Sequence, residues 1–141
     1  MTQDDEAIRA IIEFDSLNWT PMTPANWGAF LQDFLPGASL YPAVRPAKSQ
    51  KPEEFVERMK GLAAAKLRSF KEVSLGCNIR IFGSIASAVA VCQITENETR
   101  VTRGIEMMLL VKTDSRWQIV SQAWDTEGES KPIPADLLVS D

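Results

Sequence analysis

The apolar positions change period about halfway along the chain. Through the first part they recur at three- and four-residue intervals, the spacing of one helix face. Ala7, Ile8, Ile11, Ile12 and Asp15 share one stripe, behind Thr2 and Asp5 in capping-box-like positions. Acidic residues crowd the first turn, where they suit the helix dipole. This predicts a helix over about residues 3–19. Thr23-Pro24 offers a hydroxyl cap and a Pro at the first helical position. Trp27, Phe30, Leu31 and Phe34 follow at helical spacing until Pro36-Gly37 ends the pattern. A short strand is expected around Leu40-Tyr41, within 38–44, then a loop over 45–50. A third helix starts near Pro52 and carries Phe55, Val56, Met59, Leu62 and Ala63 on one face.

From about residue 69 the period is two. Four strands are predicted, over 70–82, 85–96, 101–113 and 116–126, separated by Gly83-Ser84, Asn97-Glu98 and Asp114-Ser115. Short turns make neighbouring strands antiparallel. The sum is an α+β domain: three N-terminal helices packed on one face of a curved antiparallel β-sheet. The segment from Ile105 to Val111 breaks the alternation, because it is apolar on both faces apart from Glu106. A strand with one wet face should alternate, and three helices do not easily cover both sides of a four-stranded sheet. The outer sheet face is therefore expected to meet a second copy, giving a homodimer. The domain should span 1–127. Residues 128–141 read as an extended tail, with Pro132 and Pro134 blocking regular hydrogen bonding and Ile133, Leu137 and Leu138 expected to pack on the body.

Composition narrows the chemistry. A chain of 141 residues, 45% hydrophobic and 24% charged, is the size and balance of one globular domain. A net charge of -4 leaves no basic footprint, so nucleic acid is not an expected partner. Residues 43–82 nonetheless hold nine Lys/Arg against four Asp/Glu, a positive stretch read as a solvated helix face or an anion-attracting patch. His is absent, which removes imidazole zinc sites, Ser-His-Asp and Cys-His catalysis, and His-held haem. Cys77 and Cys92 are too few and too far apart in sequence for a metal cage, and read as buried reduced thiols; neither a metal nor another cofactor is expected. No glycine-rich phosphate loop occurs. The acidic N-terminus has no apolar signal core, and the longest apolar run, Met107 to Val111, is far short of a membrane span. A cytoplasmic location without a membrane partner is the expectation.

The order of elements, together with WGAFLQDFLPGASLY and the closing hairpin IEMMLLVKTDSRWQIVSQAWD, resembles the nuclear transport factor 2-like (cystatin-like α+β) superfamily in its SnoaL-like branch. The resemblance covers roughly residues 3–127, with Trp117 and Ile119 in the family's aromatic-x-aliphatic place after the last turn. It implies a cone-shaped sheet curled around the helices, an apolar pocket between them, and commonly a homodimer through the other sheet face. It also implies activities that range over isomerases, cyclases, dehydratases and epoxide hydrolases, beside members that only bind. The absence of His departs from the His-dependent versions.

A carboxyl group inside such a pocket resists ionisation, which suits general acid–base work. The candidates are Asp15 on the first helical stripe, Glu106 in the apolar strand, and Asp125 at the end of the last strand. With Asp114-Ser115 as a two-residue turn, Thr113 pairs with Arg116. Glu106 then opposes Ala123 and shares a face with Asp125, a diagonal step of about 7–8 Å. A one-residue slip reverses that parity. The pair either works on a small apolar substrate or sits at the rim in salt bridges. Arg80, with Asn78 and Ser87 beside it, forms either a polar ligand-orienting wall or a solvated strand face. Trp19, Tyr41 and Trp124 are candidate pocket walls, with Met108 as a further ligand contact. The expected function is binding of a small apolar or aromatic molecule. The alternative is a proton-transfer enzyme of the isomerase, polyketide cyclase or dehydratase type, with Asp125 or Asp15 as base and Tyr41 or Arg80 as donor to the oxyanion.

Overall fold

The structure is a computed structural model, described here over residues 2–138. Its first helix, α1 (Gln3–Glu13), is capped as the sequence implies: the Asp5 amide donates to Thr2 Oγ1 at 3.1 Å. It ends six residues sooner than expected. Phe14 takes a left-handed conformation (φ 48°) and a 3-10 turn follows over Asp15–Leu17. The early stop has a cause in the sheet. Asn18 and Trp19 run extended beside a long strand, where Trp19 and Phe70 exchange backbone hydrogen bonds at 3.0 Å.

The second helix is also shorter. α2 (Trp27–Gln32) starts at Asn26, whose side chain accepts from the Ala29 amide, rather than at Thr23-Pro24. The chain from Phe34 onward, expected to finish that helix, is instead strand β1 (Phe34–Tyr41). Pro36 and Gly37 fit there because β1 is an edge strand with an irregular register between Phe34 and Ser39. Helix α3 (Pro52–Ala65) follows as expected, burying Phe55, Val56 and Met59.

Strands β2 (Phe70–Phe82), β3 (Ile85–Glu96), β4 (Arg100–Thr113) and β5 (Arg116–Thr126) match the period-two segments closely. Asp114 and Ser115 both have positive φ, the backbone a two-residue turn between twisted strands requires. Strand β4 starts one residue before the expected 101, so the β3–β4 connection is the three residues Asn97, Glu98 and Thr99. The sheet order is β1-β5-β4-β3-β2, and β1 runs parallel to β5. The molecule is therefore α+β, with three helices and an open five-stranded sheet. That sheet is mixed rather than wholly antiparallel, because the short strand expected around Leu40-Tyr41 starts as early as Phe34, in the segment read as helix end, and pairs parallel to β5.

Two β-bulges decide which side chains face the helices. One lies in β2 at Leu75, where Ser74 pairs with Cys92 but Gly76 pairs with Val91. The other lies in β5 at Val120, where Leu109 pairs with Ser121 but Leu110 pairs with Ile119. Each inserts one unpaired residue and so inverts the in–out alternation beyond it. The inner face joins Ile8, Ile12, Phe30, Leu40, Val56, Leu110 and Ile119 in one core. The tail returns to the outer face. A 3-10 turn over Ala135–Leu138 lies against β2 and β3, so closely that a Cβ on Gly76 would come within 2.5 Å of the Leu137 carbonyl oxygen. The backbone at Leu137 thus lies against the body, in a turn rather than an extended segment, while Leu138, also expected to pack, is 40% exposed; tail residues 139–141 lie outside the described residues.

Candidate functional site

Between the inner sheet face and the helices lies a cavity of about 260 Å³. Its walls are aromatic and aliphatic: Phe14, Phe30, Phe34, Phe55, Phe70 and Trp124 with Leu40 and Met59. Phe55 stacks on Phe30 at 5.6 Å and meets the Trp124 ring edge-on at 5.8 Å. The Arg58 guanidinium also lines the cavity and sits over the Phe55 ring at 5.2 Å, where burial lowers its pKa.

The same cavity holds a polar cluster drawn from four adjacent strands: Glu72 of β2, Cys92 of β3, Glu106 of β4 and Gln122 of β5. All four are buried, at 6%, 3%, 8% and 6% relative exposure. Asn18 fixes the first of them, accepting from the Glu72 amide at 2.9 Å. The Cys92 thiol donates to Glu106 Oε1 at 2.7 Å, and Gln122 Nε2 donates to Glu106 Oε2. The Glu72 carboxyl is hydrogen-bonded to Glu106 as well. Burial, and then the charge of Glu106 beside it, raises Glu72 well above the usual carboxylate range. Burial, followed by the charges of both carboxyls, pushes the Cys92 thiol up. Two acceptors are left over: Glu72 Oε2 and Gln122 Oε1 are buried without a hydrogen-bond partner.

Of the residues singled out from the sequence, Glu106, Trp124 and Asp125 reach the cavity lining. The predicted pairing of Glu106 with Asp125 does not form. Thr113 does pair with Arg116, but the bulge at Val120 sets Glu106 opposite Trp124 and Asp125 opposite Ile105. Asp125 is consequently an exposed rim carboxylate, bonded to Lys131 Nζ at 2.8 Å, and that contact with the Thr126 amide holds its pKa low. Asp15 is exposed, because α1 ends before it and the helical stripe no longer applies. Trp19 is core: it stacks on Phe70 at 5.1 Å and donates its indole N–H to the Leu67 carbonyl. Met108 is buried away from the cavity lining, and Tyr41 is exposed at the end of the edge strand. Arg80 pairs with Ser87 as expected, but in a shallow hollow with Phe82, Ile85 and Leu109, remote from the cavity.

Sequence reading missed Glu72, Cys92 and Gln122. Alternation counted back from Cys77, Ile79 and Ile81 puts Glu72 on the outer face; the Leu75 bulge turns it inward. Cys92 read as a small hydrophobe. Gln122 carries a signal, since it shares parity with Trp124.

No family model matches the sequence, and no curated protein matches it. Solved structures do. A protein of unknown function with a cystatin-like fold from Nostoc punctiforme is 13% identical, with a TM-score of 0.71 over 92% of this chain and 95% of its own. A scytalone dehydratase-like protein from Novosphingobium aromaticivorans is 12% identical, with a TM-score of 0.68 over 89% and 85%. The hexachlorocyclohexane dehydrochlorinase LinA-type3 from Novosphingobium barchaimii is 8% identical, with a TM-score of 0.68 over 89% and 87%. The chain has the nuclear transport factor 2-like, cystatin-like fold. Among the described residues no helix is long and apolar enough to cross a membrane.

Proposed function

We propose that this chain binds a small, largely apolar molecule with one polar end, held between the inner sheet face and the helices. The observation that carries this reading is the aromatic-walled cavity of about 260 Å³ with a buried polar cluster, Glu72, Cys92, Glu106 and Gln122, in its lining. That volume lies just below the roughly 300–1,000 Å³ typical of ligand pockets and suits one or two rings. Apolar walls supply affinity by burying ring surface, and the polar cluster in the lining selects a ligand with a hydrogen-bonding end. Assembly through the outer sheet face as a homodimer, a cytoplasmic location and a place in the SnoaL-like branch belong to the same proposal; the exposed Met107 and Leu109 support the first, and two buried cysteines outside any disulfide the second.

A second reading, proton transfer on the bound molecule as in an isomerase, cyclase or dehydratase, is favoured by the Glu72–Glu106 pair, which keeps a proton beside the cavity. One experiment separates the two. Neutral one- and two-ring molecules, with and without a hydroxyl, are titrated by native mass spectrometry, and ring ketones are followed by NMR for deuterium uptake from D2O. Binding is expected in the wild-type protein and at least tenfold weaker in Met59→Trp, which fills the cavity. Uptake that Glu72→Gln abolishes, with binding intact, establishes the enzyme. Failure of every ring compound to bind sinks both readings.

A further inference from the structure

We propose that Glu72, Cys92 and Glu106 form a binding site for a divalent metal ion of borderline softness, zinc foremost, with its fourth coordination position open to the cavity. Their donor atoms, one thiol sulfur and two carboxylate oxygens, all lie within 4.8 Å of one another. Sequence spacing hides the set, because its members sit on three adjacent strands. Burial alone would not make a site of it. The independent observation is Gln122, 6% exposed, whose amide nitrogen is spent on Glu106 while its oxygen has no partner. Glu72 Oε2 is orphaned in the same way. Each unmade hydrogen bond to a buried acceptor is costly, and a cation held between Glu72 and Glu106, to which Gln122 is bonded, supplies the positive charge that both oxygens lack.

The donor chemistry selects the ion. Zinc accepts thiolate sulfur at about 2.3 Å and carboxylate oxygen at about 2.0–2.2 Å. Magnesium and calcium prefer all-oxygen shells of six or more ligands, which a thiol and an apolar cavity do not supply. Three protein ligands with one vacant position is the arrangement of catalytic rather than structural zinc sites. Gln122 stands behind Glu106 as the outer partner that orients a ligating carboxylate. Tetrahedral bonds of these lengths separate donors by about 3.5 Å, so loading must widen the 2.7 Å Cys92–Glu106 contact by turning the Glu106 side chain. The thiol proton and the proton shared by the carboxyls pass to buffer as the ion enters, leaving thiolate and two carboxylates on the metal. Arg58 and Arg103, lining the same cavity, offset the remaining negative charge.

The test uses the full chain, stripped of metal with a chelator. Zinc is titrated by calorimetry, and cobalt by absorption, which reports a sulfur-to-cobalt charge-transfer band. The expected result is one ion per chain, a thiolate band retained in Cys77→Ser and lost in Cys92→Ser, and zinc affinity at least tenfold weaker in Glu72→Gln and in Glu106→Gln. Zinc binding should release protons to the buffer, and magnesium should not compete. The absence of a thiolate band in the wild-type protein, or its loss in Cys77→Ser, overturns the proposal even where a Cys92 variant fails to fold. Ring-compound binding by the metal-free chain tests the cavity separately, so the two readings fail independently.

Discussion

Strand β4 presents opposite anomalies on its two faces. Its inner face buries Glu106 at 8% exposure, while the adjacent Met107 and the nearby Leu109 on the outer face are 57% and 48% exposed. A soluble sheet ordinarily reverses this, with apolar side chains inside and polar ones out. Elsewhere β4 obeys the rule, as Met108 and Leu110 show at 4% and 0%. The contrast teaches where each face departs from a self-contained sheet. A buried carboxyl cluster costs stability unless it serves a ligand or ion, and an exposed apolar row invites a partner.

The largest effect should come from breaking the two faces separately. Leu110→Ala removes a fully buried side chain between sheet and core, and should cost about 3 kcal/mol in chemical unfolding. Leu109→Glu, one residue away, should leave the single chain folded but convert a dimer to monomers in sedimentation velocity. A wild-type chain that sediments as a monomer removes the dimer and leaves Leu109 a lone exposed apolar residue.

A second experiment bears on the inner face alone. Replacing a buried ionisable cluster by apolar groups of similar volume is often stabilising. The double substitution Glu72→Met with Glu106→Leu should therefore raise stability by about 2 kcal/mol while abolishing metal uptake. A loss of stability instead makes the cluster a structural device, and Gln122 its anchor.

The smallest effect distinguishes a solitary half-buried carboxylate from the paired one. Asp33, where α2 hands over to β1, is raised from 3.8 to about 6 by burial, against the opposing charge of Arg116. The folded state then binds its proton more tightly than the unfolded chain does. Its contribution to stability is greatest below about pH 4 and falls as pH rises through about 6. Asp33→Asn should remove that slope and gain about 1 kcal/mol or less at neutral pH, partial solvent exposure screening the rest. A flat stability profile across this window in the wild-type protein would show that Asp33 is solvated.

How far the molecule was legible varies with the range of the interaction. The third helix and the four long strands were readable because their apolar spacing is a local record of which face is buried. The end of α1 was not, since it depends on Trp19 joining Phe70, a partner 51 positions away. Strand β1 was legible only at its end, around Leu40-Tyr41; its start hid for a similar reason, since Phe34 keeps helical spacing with Phe30 and Leu31, and only a vacant edge beside β5 makes extension the better choice. In the candidate site the sequence pointed to Glu106 and Trp124, but gave Glu106 the wrong carboxyl partner.

What the chain determined by itself is the set of elements, their turns and the fold class, because periodicity and turn chemistry act over a few residues. What only the tertiary structure decided is the membership of the inner polar cluster. Its two β-bulges, at Leu75 and Val120, each add one residue to one strand of a pair, and in a period-two structure a single residue exchanges inside for outside. Glu72 and Gln122 face Glu106 for that reason, and Asp125 does not.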